Sequence, residues 1–230
     1  MRLDKYLSQA TGLPRSQVKR LIKSQKVRLN DKVNQDHGFQ VKTGDLVLLD
    51  GREIPPPGPR YLMLHKPQDT ICATEDQEHP TVLDLLELEN VKNLHPAGRL
   101  DIDTTGLVLI TDDGQWSHRI TSPRHRCDKV YLVTTEDPIS PETAPAFAEG
   151  LMLRNEEEPT LPATLELLDE HHARVTLQEG RYHQVKRMFA AMGNKVAGLH
   201  RESVGGIVLD EDLEPGEFRF LTAEEVASIR

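Results

Sequence analysis

Apolar residues near the N-terminus follow a helical spacing first and a strand spacing afterwards. Val18, Leu21 and Ile22 lie at positions i, i+3 and i+4, which is typical of the buried face of an amphipathic helix. Residues 27–34, VRLNDKVN, alternate apolar and polar side chains around an Asn-Asp turn signal and predict a hairpin. Residues 45–50, DLVLLD, predict a further strand. The pattern therefore predicts a small unit in which helix precedes strand.

Residues 60–230 contain many short β-rich runs and few helices. Turn residues bound these runs, which predicts a mixed, mostly antiparallel sheet. The runs are YLMLHKP (61–67), GLVLITDD (106–113), KVYLVTTE (129–136), ATLELLD (163–169) and ARVTLQEG (173–180).

Two helices are predicted among these strands. The first follows TDDG (111–114), where Asp112 or Asp113 is expected to cap a helix that carries Trp116 and Ile120 four residues apart. The second is RYHQVKRMFAAMG (181–193), which ends at a glycine. Its apolar stripe is expected to comprise Tyr182, Val185, Phe189 and Met192, with Lys186 and Arg187 toward the edge or the opposite face.

A proline-rich segment divides the chain. Residues 54–60, IPPPGPR, cannot continue a helix or the interior of a sheet, because proline lacks the backbone donor and fixes φ. We therefore expect one domain over residues 1–58 and a second over residues 59–230. The fold class is α+β: a small α/β domain, then a mixed, mostly antiparallel β-sheet domain with flanking helices.

The charge differs in sign between the two parts. The net charge is −9, yet residues 1–59 hold eleven Lys and Arg against six Asp and Glu. Arg15, Lys19 and Lys23 recur every four residues, and like charges at this spacing on a helix repel, so the pattern favours an anionic partner, although a solvated helix face is the alternative. The candidate residues for binding this anion are Arg2, Lys5, Arg15, Lys19, Arg20, Lys23, Lys26 and Arg28.

Several kinds of chemistry have no motif in this sequence. It contains no P-loop, dinucleotide fingerprint, zinc-protease motif or nucleophile elbow. Cys72 and Cys127 form no CxxC pair, and the histidines, His183 among them, fall at no metal-ligand spacing, so we expect no metal site and ordinary surface or structural histidines. No stretch matches a membrane span or a secretory signal, so we expect a cytoplasmic protein that does not bind membranes.

An aspartate stands beside a run that is expected to be buried. Residues 98–114 read GRLDIDTTGLVLITDDG, with Asp101 between Leu100 and Ile102. An ionised carboxylate near a core is costly unless it is paired or hydrogen-bonded, so this acid belongs either to a structural loop or to a reaction. Asp103, two residues further on, is an equal candidate from the sequence alone.

Three ordered motifs and the N-terminal segment carry a family resemblance. LHKPQDTICAT (64–74), GRLDIDTTGLVLITDDG (98–114) and EGRYHQVKRMF (179–189) resemble the motifs of pseudouridine synthases, in their order. RLDKYL (2–7), the basic second helix and VRLNDKVN (27–34) resemble the S4 RNA-binding domain. Across essentially its whole length the chain resembles the small-subunit ribosomal RNA pseudouridine synthase family.

The resemblance implies a role for each of several residues. Asp101 matches the single catalytic aspartate, and Lys186 matches a basic residue, often arginine, that pairs with it. Tyr131 matches a tyrosine that stacks on the target base, and Val185 matches an aliphatic residue beneath the pocket; core packing is the alternative for both. Arg99 matches an arginine that fills the space left by a flipped base. Asp103, Asp112 and Asp113 are then expected to be structural turn or capping acids.

The implied activity is isomerisation of a uridine in 16S ribosomal RNA, at position 516 in the usual rRNA numbering. It needs an ionised, aimed carboxylate and no cofactor. We expect a monomer whose partner is 16S RNA, naked or in a partly assembled small subunit. The alternatives are a synthase acting on 23S rRNA and a noncatalytic RNA-binding assembly factor. A carboxylate-dependent glycosidase would need a second acid, and the sequence identifies none.

Overall fold

A computed structural model describes residues 1–88 and 91–230. The chain divides into two compact units, residues 1–59 with 87–93, and residues 60–86 with 94–230. In the described ranges no helix is long and apolar enough to cross a membrane.

The first unit packs two helices against a four-stranded antiparallel sheet. The helices are α1 (Leu3–Thr11) and α2 (Arg15–Lys23), and the strands are β1 (Val27–Leu29), β2 (Lys32–Val33), β3 (Val47–Leu49) and β4 (Arg52–Glu53), in the order β2-β1-β3-β4. Val18 and Ile22 of α2 are buried in its core with Leu3 and Leu7 of α1, which confirms these two positions of the predicted helix face, whereas Leu21 is only partly buried.

The predicted turn at Asn30-Asp31 is present. Both residues have positive φ, 48° and 64°, and they join β1 to β2 with Leu29 paired to Lys32. Two consecutive left-handed residues suit the right-handed twist of a two-residue hairpin, and Asn and Asp tolerate that conformation better than other non-glycine residues. The residue types therefore determine this turn locally.

A buried carboxylate in α1 binds two arginines. The Asp4 side chain is fully buried and accepts hydrogen bonds from Arg2 Nε at 3.1 Å and from Arg15 Nη2 at 2.6 Å. Burial alone would raise the pKa of Asp4, but the hydrogen bonds from the two arginines outweigh it and lower this pKa to about 2. Asp4 therefore links the start of α1 to the start of α2.

We expect Asp4→Asn to lower the free energy of unfolding by about 2 kcal/mol at neutral pH. Because the folded-state pKa lies below the ordinary value of 3.8, this stabilisation is present above pH 3.8 and is lost as the pH falls toward 2. Urea unfolding of both proteins at pH 7 and at pH 3 measures the difference. An equal difference at the two pH values would contradict the assignment to this ion-pair cluster.

The second unit is built on a nine-stranded mixed sheet. Its main order is β13-β5-β7-β11-β8-β10-β9; β6 also pairs with β7 and β12 with β11. The strands are β5 (Tyr61–Lys66), β6 (His95–Pro96), β7 (Thr105–Thr111), β8 (Lys129–Thr135), β9 (Thr164–Leu167), β10 (His172–Leu177), β11 (Val196–Val204), β12 (Ile207–Val208) and β13 (Phe218–Phe220). Only β7 and β11 pair in parallel among the strand pairs of the described residues. The predicted α+β class and mostly antiparallel sheet are therefore confirmed.

Four helices accompany this sheet. They are α3 (Gly114–Thr121), α4 (Thr143–Glu149), α5 (Gln184–Ala191) and α6 (Ala223–Ser228), with a short 3₁₀ turn at Pro123–His125. A further 3₁₀ turn, Val91–Asn93, belongs to the first unit. Trp116 and Ile120 of α3 are fully buried in one core cluster, and Phe147 of α4 meets Phe189 of α5 edge-to-face at 5.1 Å.

The two candidate caps of α3 have different partners. Asp113 accepts hydrogen bonds from Gln115 N and Trp116 N, whereas Asp112 forms an ion pair with Arg60 at 2.9 Å. Asp113 is therefore the cap. The predicted stripe on α5 is wrong at Tyr182, which precedes the helix and is 74% exposed.

Candidate active site

The GRLDIDTTG loop between β6 and β7 is held by a buried lysine. The Lys66 side chain is fully enclosed, and its Nζ donates to the carbonyls of Pro67 at 2.8 Å, Ile102 at 3.1 Å and Thr104 at 2.7 Å. Burial lowers the pKa of Lys66, although nearby Cys72 and the acids of the loop oppose this shift. Sequence reasoning gave no role to this lysine, and it fixes the loop that carries Asp101.

Asp101 and Lys186 form an ion pair across 85 positions of sequence. Lys186 Nζ, from the first turn of α5, lies 2.9 Å from Asp101 Oδ2 and 2.6 Å from Asp103 Oδ1. Partial burial lowers the pKa of Lys186, but the hydrogen bonds to Asp103 and Asp101 raise it overall. The pairing implied by the family resemblance is therefore present, with lysine as the cation.

Asp103 belongs to this cluster rather than to a turn alone. The hydrogen bond from Lys186 lowers the pKa of the Asp103 carboxyl, and its side chain is 63% exposed. Asp103 is therefore a partner of Lys186 as well as a residue of the loop, and its structural role stays a prediction. One ammonium serves both carboxylates because its three donors are not confined to a plane, unlike those of a guanidinium.

His183 faces the other oxygen of Asp101. Its Nε2 lies 3.5 Å from Asp101 Oδ1, and its ring stacks on Tyr182 with centroids 3.8 Å apart. His183 has φ 48° at the residue before α5, a conformation uncommon outside glycine. The sequence-based expectation of an ordinary surface or structural histidine missed this position. Its place within EGRYHQVKRMF was the only available signal.

The predicted residues converge on one cavity. A cavity of about 570 Å³ is lined by Arg99, Asp101 and Tyr131, and an adjoining one of about 80 Å³ is lined by the same three residues and by Val185. Tyr131 and Val185 are buried, whereas Arg99 is exposed. The structure thus brings together Arg99, Asp101, Tyr131, Val185 and, through its ion pair, Lys186.

A second network fixes the approach to α5. The buried carboxylate of Glu179 accepts hydrogen bonds from Arg181 Nε at 3.2 Å and from Gln184 Nε2 at 2.8 Å. Arg181 also donates to Pro159 O at 2.6 Å. These contacts fix Arg181 and Gln184, which lie before and after His183 in the chain. Sequence reasoning assigned no role to the residues involved.

The eight basic residues predicted to bind RNA fall into two groups. Arg2 and Arg15 bind Asp4, Lys26 Nζ lies 3.5 Å from Asp50, and Arg28 donates to the carbonyl of Asp31. Four others form no ion pair or side-chain hydrogen bond with any residue in the part of the chain that the structure describes: Lys5, Lys19, Arg20 and Lys23. Among the eight predicted residues, these four therefore have ammonium and guanidinium groups available to an external anion.

The described part of the chain holds no cluster of side chains suited to a metal ion. Over residues 1–88 and 91–230, no group of three or more His, Cys, Asp or Glu side chains is placed to hold a metal ion. Cys72 and Cys127 are both free thiols.

Comparison with known proteins identifies the family. The family model for RNA pseudouridylate synthase matches residues 60–191, and the S4 domain model matches residues 1–47. The chain belongs to the RNA pseudouridylate synthase family. It is an RNA pseudouridine synthase with an S4 domain, and RNA is its substrate.

Relatives of this synthase match it over its full length. A protein of Vibrio parahaemolyticus serotype O3:K6 named ribosomal small subunit pseudouridine synthase A is 57% identical, over 100% of this chain and 99% of its own. A protein of Escherichia coli strain K12 with the same name is 54% identical over 100% of both chains. A solved crystal structure of a pseudouridylate synthase covers 100% of both chains with 48% identity and a TM-score of 0.73.

Proposed function

We propose that this synthase converts a single uridine of 16S ribosomal RNA, position 516 in the usual rRNA numbering, into pseudouridine, with Asp101 as the nucleophile. The observation that carries the proposal is the Asp101 carboxylate, which lines a cavity of about 570 Å³ while Lys186 binds one of its oxygens. The choice of small-subunit RNA is supported by the names of full-length relatives at 54–57% identity.

The reaction requires a carboxylate that is ionised and aimed. Asp101 attacks C1′ of the ribose or C6 of the uracil, and the N-glycosidic bond breaks with its electron pair leaving on the uracil. The detached uracil turns and C5 bonds to C1′, while the bond to Asp101 breaks and regenerates the carboxylate. C5 then loses its proton and N1 takes one up, so that the product is an isomer of the substrate. Lys186 donates a hydrogen bond to Oδ2 and holds the carboxylate in place, which leaves Oδ1, on the side of His183, as the oxygen that reacts. The scheme contains no redox step and no activated water, and we propose that the enzyme needs no cofactor.

The other predicted residues bind the flipped uracil or fill the space that it leaves in the RNA. A uridine in structured RNA must leave its stack to reach Asp101, at a cost of a few kcal/mol. The ring of Tyr131 receives the uracil, Val185 lies beneath the pocket, and the exposed Arg99 fills the space that the base leaves in the RNA. The walls of this cavity confine the detached uracil during its rotation.

RNA binding and chemistry are divided between the two domains. Residues 1–58, with their excess of Lys and Arg, supply phosphate contacts from the eight basic residues predicted above, and residues 59–230 carry the reaction. The acidic second domain repels RNA away from its site. We propose that the enzyme acts as a cytoplasmic monomer on 16S RNA or on a partly assembled small subunit.

Mapping of pseudouridine by carbodiimide modification and primer extension tests the proposal. Purified 16S and 23S RNA lacking the modification, and assembly intermediates of the small subunit, are each treated with the enzyme. We expect one new stop, in 16S RNA. A stop in 23S RNA would identify a large-subunit synthase. Binding without a stop in any RNA would favour a noncatalytic assembly factor.

The unpaired cations of α2 are expected to set the salt dependence of binding. Substitution of Lys19, Arg20 and Lys23 by Gln should reduce the slope of log Kd against log salt by about 0.7 for each phosphate that is no longer neutralised, and so by about 2 in total. The matched control replaces Lys32, Lys42 and Arg52, which are exposed on the same unit, by Gln. Equal slopes for the two triple variants would refute the assignment of the α2 surface to RNA.

A further inference from the structure

The cavity at Asp101 also contains two buried cations that the proposed chemistry does not use. Arg201 on β11 and Lys129 on β8 line the same cavity of about 570 Å³, and the two residues are 2% and 7% exposed. Enclosing a charge without an anion costs several kcal/mol, so a pair of such cations beside a cavity calls for a physical account.

The sheet places both cations next to Tyr131. Arg201 is the direct cross-strand partner of Tyr131 in the antiparallel pairing of β11 with β8. Lys129 precedes Tyr131 by two residues on β8, so its side chain projects from the same face of the sheet. Side chains of direct cross-strand partners lie about 5 Å apart at Cβ. The tyrosine is therefore flanked by positive charge on two sides.

The guanidinium of Arg201 is only partly satisfied by the protein. Its Nε donates to Leu107 O at 2.8 Å, while Nη2 is buried and has no hydrogen-bond partner among the described residues. No carboxylate among residues 1–88 and 91–230 lies within ion-pair distance of Arg201. The carboxylate of Glu179 lines the same cavity, but Arg181, Gln184 and the Leu161 amide already bind its oxygens.

The backbone holds Arg201 in this position. Gly106 of β7 lies opposite Arg201 in the parallel pairing, and a Cβ added at Gly106 would fall 2.3 Å from the Arg201 carbonyl oxygen. Gly106 has φ 105°, which only glycine adopts readily. The close approach of the two strands therefore fixes the backbone position from which the Arg201 side chain extends.

The Lys129 ammonium has three N–H donors and donates two hydrogen bonds to nearby backbone carbonyls. Its Nζ donates to Ile120 O and Cys127 O, both at 2.8 Å. Ile120 lies in the last turn of α3, where a cation is favourable, and this accounts for part of its placement. Burial lowers the pKa of Lys129, with Arg201 contributing in the same direction. An anion in the cavity would relieve that repulsion.

We infer that Arg201 and Lys129 form a phosphate subsite, which binds the phosphodiester adjacent to the uridine whose base lies on Tyr131. The two terminal amino groups of a guanidinium match two phosphate oxygens, and the ammonium adds a point charge. A cavity of this volume accepts a ligand of nucleotide size rather than a base alone. The inference rests on the proposed function for the identity of the ligand.

This subsite would have a different role from the basic surface of the S4 unit. Phosphate contacts carry no sequence information but fix the register of a nucleic acid on its protein. A phosphate held beside Tyr131 would set the distance between the ribose of the same nucleotide and Asp101. It would therefore select a nucleotide already drawn into the cavity, whereas surface lysines attract RNA from a distance.

Binding of uridine, uridine 5′-monophosphate and uridine 3′-monophosphate to the full chain tests the subsite. We expect one of the two monophosphates to bind about 10- to 100-fold more tightly than uridine, as for a charge-assisted pair of hydrogen bonds. Which of the two binds more tightly identifies the linkage. Equal affinity of all three compounds for the wild-type protein would overturn the inference without any variant.

Arg201→Gln provides the second test, with Arg174→Gln as the matched control. Arg174 lies on β10 of the same sheet, pairs with Glu202 and does not line this cavity. We expect Arg201→Gln to lose the preference for the monophosphate while uridine affinity is unchanged, and the control to keep the preference. A folded Arg201→Gln protein that retains the preference would overturn the inference; if the variant does not fold, the comparison of ligands on the wild type decides.

The same titrations separate this inference from the proposed function. Asp101→Asn should retain the preference for the monophosphate, because binding precedes any reaction. Pseudouridine formed by a wild type without that preference would leave the activity established and the subsite wrong. If the wild type prefers the monophosphate but modifies no RNA, the subsite would be established and the proposed activity would be wrong.

Discussion

Asp101→Asn is expected to abolish pseudouridine formation, with a loss of about 10⁴-fold or more in single-turnover rate, while RNA affinity stays within about threefold. Asparagine keeps the shape of the side chain and an oxygen for Lys186 Nζ, which lies 2.9 Å from Oδ2, so the loop is preserved and the nucleophile is removed. Release of tritium from RNA labelled at C5 of uridine measures the rate, and filter binding measures the affinity.

The matched control is Asp103→Asn. Asp103 contacts the same ammonium at 2.6 Å and carries the same charge, so the control makes an equal change to the electrostatics of the cluster. We expect a loss of about tenfold or less, because an exposed neighbour contributes to the field but does not react. The opposite ranking of the two variants would assign the nucleophile to Asp103, a choice that the sequence alone leaves open.

Lys186→Met is expected to slow the single-turnover rate by about 10²- to 10³-fold with a much smaller loss of RNA affinity. Without the ammonium, the carboxylates of Asp101 and Asp103 repel each other with no cation between them, and the nucleophile loses the hydrogen bond that orients it. Lys186→Arg should recover part of the rate, because it restores the charge but offers a planar fork to two separate carboxylates.

Arg187→Met is the control for Lys186→Met. Arg187 is the next residue of α5 and binds Glu156 at 2.7 Å, away from Asp101. We expect its rate to lie within about threefold of the wild type. Equal losses of rate and of RNA affinity in Lys186→Met would count against the role of Lys186 as the partner of the nucleophile and would favour a phosphate contact.

The order of motifs and the local pattern of residue types predicted much of this protein. The hairpin at Asn30-Asp31, the cap at Asp112 or Asp113 and the five β-rich runs depend on turn chemistry and alternation over a few residues. Such signals are local, so they can be read without knowledge of the tertiary structure. The pairing of Asp101 with Lys186 was available only through the family resemblance, since 85 positions separate them.

The longest strand escaped prediction for a physical reason. β11, Val196–Val204, lies between β7 and β8 near the centre of the sheet, yet it carries Gly198, His200, Arg201 and Glu202 and lacks a simple alternating pattern. The buried guanidinium of Arg201 is tolerated there because it lines the cavity and donates a hydrogen bond to the Leu107 carbonyl. A strand that contributes side chains to a functional site lacks the alternating apolar pattern of a strand that contributes them only to a hydrophobic core.

The sequence by itself determined the α+β class, the division of charge, and the turns and caps. It also placed an acid, Asp101, in a segment where a structural role alone did not explain it. Only the tertiary structure decided which groups meet that acid. Lys186 and His183 reach Asp101 because α5 begins beside the loop, and Arg201 reaches Tyr131 because two strands distant in sequence pair in register. Side-chain chemistry is local, whereas the distance between side chains from remote segments is a property of packing and strand register, and a single sequence does not encode that register in any short pattern.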